Sequence, residues 1–244
     1  MLDVYKRQAK YQEALYRLDE YSHIWLICWY TQKNPTLTVK PRHIDPDSKP
    51  FGVFALRSPN HPNPLALTLA KLDKIENNIL FVQNVDSFDG TQVLDIKPYF
   101  EFDTVFSPDL PMILHQDADH RLTALWMLAN SHHREACSGA ALAVKMVLLA
   151  ESLGFVSSSP FVSLTVKGSP CLADTLQGLS RARFFNPPRF YYEHAPISKC
   201  RFVKENQALD ITVIAPFKSD TNWILTSPYE ELFSFEISQL SLYR

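Results

Sequence analysis

The sequence predicts a mixed two-domain chain, a small all-β domain followed by an α+β domain. Three observations carry this reading. Up to about residue 100 the apolar residues fall in short runs separated by tight turn signals, as in a barrel or sandwich. Beyond residue 112, runs of helical period alternate with short strand-like runs. Between the two lies Pro108–Met112, which reads as a linker. The expected divisions are 1–108, 109–215 and a C-terminal tail, 216–244.

Taken in order, Tyr11, Ala14, Leu15 and Leu18 stand at helical spacing and predict an amphipathic helix over 9–19. Ser22–Tyr30 is apolar on both faces and rich in Ile and Trp, as a buried strand is. Residues 31–50 are polar and Pro-rich, hence a loop. Leu65, Leu67 and Leu69 alternate as in a half-buried strand. Glu76-Asn77-Asn78 marks a hairpin turn before a strand at Ile79–Val82, and Val93–Ile96 is another strand. In the second region His120–Ala129 and Gly139–Leu153 read as helices. The latter is apolar nearly all round and therefore buried, with Gly154 at its C-terminal cap. A strand at Phe161–Val166, a helix at Leu172–Ser180, and strands at Arg189–Tyr192, Lys199–Lys204 and Leu209–Ile214 complete the pattern.

The chain has 244 residues, 46% of them hydrophobic, so a sizeable core is available and general disorder is excluded. A formal net charge of −2 supplies no global attraction for nucleic acid; RNA binding would need a local basic patch. The six glycines form neither a GxGxxG turn nor a phosphate-binding loop, which excludes a conventional dinucleotide fold or NTPase. Cys28, Cys137, Cys171 and Cys200 form no CxxC pair and no disulfide framework. No apolar run is long enough for a bilayer and no signal peptide is visible, so a cytoplasmic protein without a membrane partner is expected.

The most informative segment is GVFALRSPNHPNPLALT, Gly52–Thr68. Pro59, Pro62 and Pro64 fix φ and bias their predecessors toward extended backbone. Such a loop loses little entropy on holding a ligand, though it also suits a stiff connector. Arg57, Ser58, His61 and Asn63 are its polar groups. SHIWLICWY (Ser22–Tyr30) precedes it and DSFDGTQVLDIKPYF (Asp86–Phe100) follows it. These three blocks, in this order, closely resemble the TsaA-like family of tRNA methyltransferases, whose pattern is roughly SHxWLxxWF, GVFATRSPxRPNPIGLS and DLLDGTPVLDIKPY. The resemblance spans about 9–106. It implies a small β-barrel, S-adenosylmethionine as methyl donor, N6-threonylcarbamoyladenosine in tRNA as acceptor, and a homodimer with the donor site near the interface between its two copies. The family's strand before the Tyr11 helix is missing, and Met1–Gln8 reads as a foreign leader on a barrel lacking its first strand.

Methyl transfer from a sulfonium needs nucleophile, methyl and leaving sulfur in line, so positioning is the main task. In the resemblance Arg57, Ser58, Pro59, Asn63, Pro64 and Leu65 fall on the donor-binding loop. Asp89, Gly90 and Thr91 fall on the turn that faces it. Arg57 suits the donor carboxylate as a bidentate partner, or else pairs with Asp86 or Asp89 on the surface. Asn63 suits an adenine edge or its own loop. Gly90 suits a positive φ. Asp95 and Lys97 pair with each other. The acceptor nitrogen, next to a carbonyl, is a weak nucleophile, and Asp89, Asp86 and His61 are the candidate general bases. His61 stands where the family has arginine, Ala66 where it has glycine, Leu56 for threonine and Gln92 for proline. Trp25 and Trp29 serve the core or the dimer interface.

HREACSGAALAVKMVLLAESLG (from His133) and KGSPCLADTLQGLSRARFFNPPRF (from Lys167) are similar to the FmdE-like family, named for a component of formylmethanofuran dehydrogenase, over about 130–215. His133, Cys137, Cys171, Asp174 and Gln177 match that pattern, whereas Glu135, Ser138 and Ala182 replace a histidine, a proline and a cysteine. His133, Cys137 and Cys171 are the candidate ligands of a zinc ion, with Glu135 or water fourth. The bland reading makes the cysteines small buried hydrophobes. Cys28 and Cys200 are not ligands, and His132 and His194 lie at the surface. The expected function is S-adenosylmethionine-dependent tRNA methylation with an appended FmdE-like domain. The alternative is a metal-binding or regulatory module fused to an inactive or truncated methyltransferase domain.

Overall fold

The computed structural model describes residues 3–6, 11–30, 35–41, 48–105, 117–214 and 220–240. The chain divides into two compact units, Met1–Val105 and Phe106–Arg244. The expected linker, Pro108–Met112, falls outside the described residues.

In the first unit β1 (Asp3–Lys6), β2 (His23–Trp29), β5 (Leu65–Glu76), β6 (Ile79–Gln83) and β7 (Gln92–Pro98) form one sheet in the order β1-β6-β5-β2-β7. A two-residue pair, β3 (Thr38–Val39) with β4 (Phe51–Gly52), stands apart. The expected fold is a small β-barrel lacking its first strand; the described sheet is open, with β1 and β7 at its edges, and among the described residues it does not close into a barrel. The segment read as a leader is also corrected: Asp3–Lys6 pairs antiparallel with β6 and supplies an edge strand. The helix expected over 9–19 is replaced, within the described residues, by two single 3-10 turns, Glu13–Leu15 and Leu18–Glu20. Arg17 between them is left-handed at φ 62°, which no continuing α-helix accommodates.

β2 sets the packing. Ile24, Leu26 and Cys28 are fully buried, and Ala70, Leu72, Leu80, Val82 and Leu15 close this small core. The opposite face carries Trp25, Ile27 and Trp29, which stand across from Leu69, Leu67 and Leu65. The alternation of the leucines in β5 is therefore real, but its sense is reversed. Ala66, Ala70 and Leu72 turn inward, while Leu65 and Leu67 are about half exposed (51% and 46%). The β5–β6 hairpin turns through Asn77 and Asn78, at φ 48° and 64°, the left-handed pair of a tight two-residue turn.

The second unit is α+β. Its sheet is built from β8 (Val162–Gly168), β9 (Phe190–His194), β10 (Lys199–Lys204), β11 (Gln207–Val213) and β12 (Phe233–Gln239) in the order β12-β11-β10-β8-β9, with β8 and β9 parallel and the rest antiparallel. α1 (Ala118–His133), α2 (Ser138–Ser152) and α3 (Pro170–Ser180) build one core with β8, β10 (Lys199–Lys204) and β11 (Gln207–Val213). Residues 139–147 are all buried, as the all-round apolar pattern requires, and Gly154 at φ 85° follows α2. The expected tail is part of the domain. α4 (Thr221–Thr226), α5 (Tyr229–Leu232) and β12 (Phe233–Gln239) lie in it, and β12 pairs along the whole of β11. Two polar staples hold the helices. Arg121 of α1 makes a bidentate ion pair with Glu151 of α2, at 2.8 and 2.6 Å. The Lys145 ammonium, its pKa pushed down by burial, donates to the carbonyls of Leu225 and Ser227 and sits 4.7 Å from the Tyr229 ring.

Candidate functional site

In the first unit the prolyl loop and the Asp-Gly turn meet at one end of the sheet. Trp29, the last residue of β2, stands opposite Leu65 on one side and Gln92 on the other. The loop ends at Leu65 and the turn ends at Gln92, so the two segments flank the same strand terminus. Tyr30 fastens both. Its backbone N–H donates to the Pro64 carbonyl at 2.8 Å, and its hydroxyl donates to the Asp86 carbonyl at 2.6 Å. Ser87 adds a contact to the same hydroxyl at 3.3 Å and a hydrogen bond with the Cys28 thiol, whose pKa burial pushes up and Ser87 partly restores.

The loop is closed from within. The His61 Nε2 donates to the Leu56 carbonyl at 2.8 Å, with its ring edge-on to Phe54. Asn60 N–H donates to Ser58 Oγ, and Leu65 N–H to the Asn63 carbonyl. Of the candidate bases, His61 is thus committed through Nε2 to shaping the loop, while Asp86 and Asp89 are exposed. Arg57, Pro59, Asn63, Leu65 and Gly90 are exposed, and Ser58, Pro64 and Thr91 half-buried. Among the described residues Arg57, Asn63, Asp86 and Asp89 have no side-chain hydrogen bond or ion pair, so the suspected Arg57–aspartate pair is not formed. Gly90 takes the positive φ, 78°. Lys97 and Asp95 do pair, at 2.8 Å, along β7. Trp25 is held outside the core by an Nε1 hydrogen bond to Asp103 at 3.2 Å, and Trp29 is 39% exposed. Sequence reasoning missed Tyr30. Its signal was a phenol at the end of an otherwise apolar strand, where a polar tip has a partner to find.

The second unit brings His133, Cys137 and Cys171 together. Their ligand atoms lie within 4.8 Å of one another. Each comes from a helix end: His133 closes α1, Cys137 caps the start of α2 and accepts from Ala140 N–H, and Cys171 lies in the first turn of α3. His133 Nε2 is 3.5 Å from Cys137 Sγ, and its Nδ1 meets Asp174 Oδ2 at 2.7 Å. Burial, then the Cys137 thiol and the Glu135 charge, push the Cys171 thiol up. Cys28 and Cys200 are fully buried elsewhere. Ser169 caps α3 ahead of Pro170, which presets the backbone that delivers Cys171.

Comparison with known proteins decides the first unit. Residues 3–104 match the tRNA-methyltransferase O N-terminal domain. The chain is also similar to a probable S-adenosyl-L-methionine-binding protein of Archaeoglobus fulgidus, 31% identical over 176 residues, 69% of this chain and 47% of that one. That likeness is longer than the matched domain and so reaches into the second unit. A tRNA (adenine(37)-N6)-methyltransferase of Mus musculus is 40% identical over 111 residues, 45% of this chain and 24% of the relative. A probable S-adenosyl-L-methionine-binding protein of Pyrococcus abyssi is 41% identical over 96 residues, 38% of this chain and 50% of the relative. The chain thus spans half or less of the length of these relatives. Homologues of the methyltransferase-O domain are S-adenosylmethionine-binding proteins and tRNA methyltransferases. No helix among the described residues is long and apolar enough to cross a membrane.

Proposed function

We propose that this chain binds S-adenosylmethionine in its methyltransferase-O domain and transfers the methyl group to N6 of a tRNA adenosine, with threonylcarbamoyladenosine as the preferred acceptor. The observation that carries the reading is the shared anchorage of the two motif segments on Tyr30 and Trp29 at one end of the sheet. The residues fit the donor. Arg57 offers a guanidinium with no ion pair among the described residues, suited to the donor's carboxylate. Ser58, Pro59, Asn63, Pro64 and Leu65 form the loop that receives the nucleoside, and Asp89, Gly90 and Thr91 the facing turn. When bound, the donor supplies an electrophilic methyl group. The chain orients the acceptor and takes its N6 proton, for which the exposed carboxylates Asp86 and Asp89 are better placed than the engaged His61.

The outer face of the sheet supports a homodimer. Trp29, Leu65 and Leu67 form an apolar patch that a second copy would cover, close to the end where the motif segments meet. tRNA is the macromolecular substrate and the cytoplasm the place of action. The second unit is read as an FmdE-like module appended to the methyltransferase domain.

Titration calorimetry of the full chain with S-adenosylmethionine tests the reading. Heat with a one-to-one stoichiometry is expected. Arg57→Ala weakens binding about 10- to 100-fold, from the roughly 1.5–3 kcal/mol of a hydrogen bond to a charged group, without changing thermal stability. No heat and no thermal shift at millimolar donor rejects it.

A further inference from the structure

We propose that the loop from Arg181 to Arg189, between α3 and β9, forms with Phe161 a surface that holds a single-stranded stretch of RNA: Phe161 and Phe185 stack on unpaired bases and Arg183 meets phosphates. The inference names where the second unit grips RNA, and it rests on the reading of tRNA as the acceptor. Charge points to this loop. The chain carries a net charge of −2, so RNA binding needs a local basic patch. Between Glu151 and Glu193 the one acidic residue is Asp174, against Lys167, Arg181, Arg183 and Arg189. Asp174 is already engaged by His132 and His133, at 3.3 and 2.7 Å. The Arg183 side chain is exposed and, among the described residues, makes no hydrogen bond or ion pair.

The loop is held in place before any ligand arrives. The half-buried Arg189 guanidinium donates to the carbonyls of Ser159 and Val162, both at 3.0 Å, and of Arg181 at 3.3 Å, which ties the Phe161 turn to the loop. The Arg183 carbonyl accepts from the N–H groups of Arg189 and Phe190, at 2.8 and 3.0 Å. β8 and β9 run parallel with Leu164 opposite Phe190, so Phe161 and Arg189 stand at the same end of the sheet. Phe184 anchors the loop edge-on to Phe190, with ring centroids 5.2 Å apart. Phe185 and Phe161 stay outside. At 79% and 78% they are the most exposed large apolar side chains among the described residues of the second unit. Every base offers a π-face to such a ring, whatever the sequence. A duplex keeps those faces in its own stack, so the rings select unpaired nucleotides. Burial and then the Arg183 charge push the Arg189 guanidinium pKa down, a repulsion that a bound phosphate relieves. A surface fixed in advance loses little entropy on binding.

Fluorescence anisotropy of the full chain with a labelled single-stranded RNA of about ten nucleotides tests the surface. Phe185→Ala and Phe161→Ala should each weaken binding roughly 5- to 100-fold, whereas Phe185→Trp should keep it. Arg183→Ala should reduce the slope of log affinity against log salt by about 0.7, one phosphate contact on a single strand, while Phe185→Ala leaves that slope unchanged. All three side chains are exposed, so the thermal transition of each variant should match the wild type. The same RNA annealed into a duplex should bind more weakly. A wild-type chain that binds the single strand, with Phe185→Ala and Phe161→Ala binding equally well, overturns the surface and leaves the tRNA reading standing. So does a salt slope unchanged by Arg183→Ala, or a duplex bound as tightly as the single strand. A wild-type chain without affinity for RNA overturns both.

Discussion

Gly139→Ala and Gly178→Ala are the same substitution with opposite expected outcomes. At Gly139 an added β-carbon meets the Cys171 β-carbon at 2.8 Å, the Leu172 amide nitrogen at 3.1 Å and the Cys171 carbonyl carbon at 3.4 Å. Carbon atoms rest at about 3.5–4.0 Å, so the first contact is short by roughly 0.7 Å or more. None of these atoms is the tip of a flexible side chain. Relief requires the start of α2 to move away from α3. Overpacking of this kind costs about 1–3 kcal/mol, and alanine returns at most about 1 kcal/mol of helix propensity. The net loss is about 1–2 kcal/mol. At Gly178 the new β-carbon overlaps the His132 imidazole, which can swing toward solvent. That forfeits an ion pair with Asp174 (3.3 Å) between side chains 37% and 49% exposed, worth less than about 1 kcal/mol. The propensity gain offsets it, and stability stays near wild type. Hydrogen exchange of the 138–152 peptide as a function of urea isolates the second unit and reads both variants. A Gly139→Ala chain as stable as wild type, or a Gly178→Ala chain that loses as much, refutes the packing argument.

Tyr30→Phe removes the 2.6 Å bond to the Asp86 carbonyl; a stability loss of about 1 kcal/mol or less with a several-fold drop in donor affinity by calorimetry is expected. Glu151→Gln breaks the Arg121 pair, whose side chains are 18% and 7% exposed. Chemical denaturation should show a loss of about 3 kcal/mol, because a charge is left without its partner. Timed alkylation with mass spectrometry should modify Cys137 first and Cys171 more slowly, with zinc protecting both, while Cys28 and Cys200 react only on unfolding. Burial holds the Cys28 and Cys200 thiols above the usual thiol range. Their contribution to stability is therefore complete below the unfolded value of about 8.5 and declines as the pH rises through the folded values.

The helices and strands of the second unit were legible because each has a local cause. Ser169-Pro170 opens α3, Gly154 follows α2, and the run Gly139–Val147 is apolar on every side and buried on every side. The first unit was less legible. β5 carries leucines at odd positions and alanines at Ala66 and Ala70, so the larger apolar residues point to the wrong face for a core. Periodicity reports that two faces differ, and size alone assigns the bigger side chains inward. Here the opposite strand decides, since β2 already fills the inner face with Ile24, Leu26 and Cys28. In β12 Phe233, Phe235 and Ile237 do alternate with polar residues as in a strand, whereas the short edge strand β1 was unreadable for another reason. A short edge strand needs only a partner's free N–H and C=O groups, which leave no pattern in its own residues.

The two candidate sites divide along the same line. The prolyl loop was visible because its proline spacing is local, yet its anchor was not: Tyr30 lies 34 positions before Pro64 and 56 before Asp86, and its two bonds follow from pairing β2 with β5 and β7. The thiol–imidazole cluster is similar. His133 and Cys137 stand four apart and bracket the short turn between α1 and α2, whereas Cys171 reaches them only because a residue without a side chain, Gly139, lets α3 dock against α2. A sequence records which donors exist. Which of them meet depends on close approaches between elements, and a single β-carbon at position 139 should be enough to separate this set.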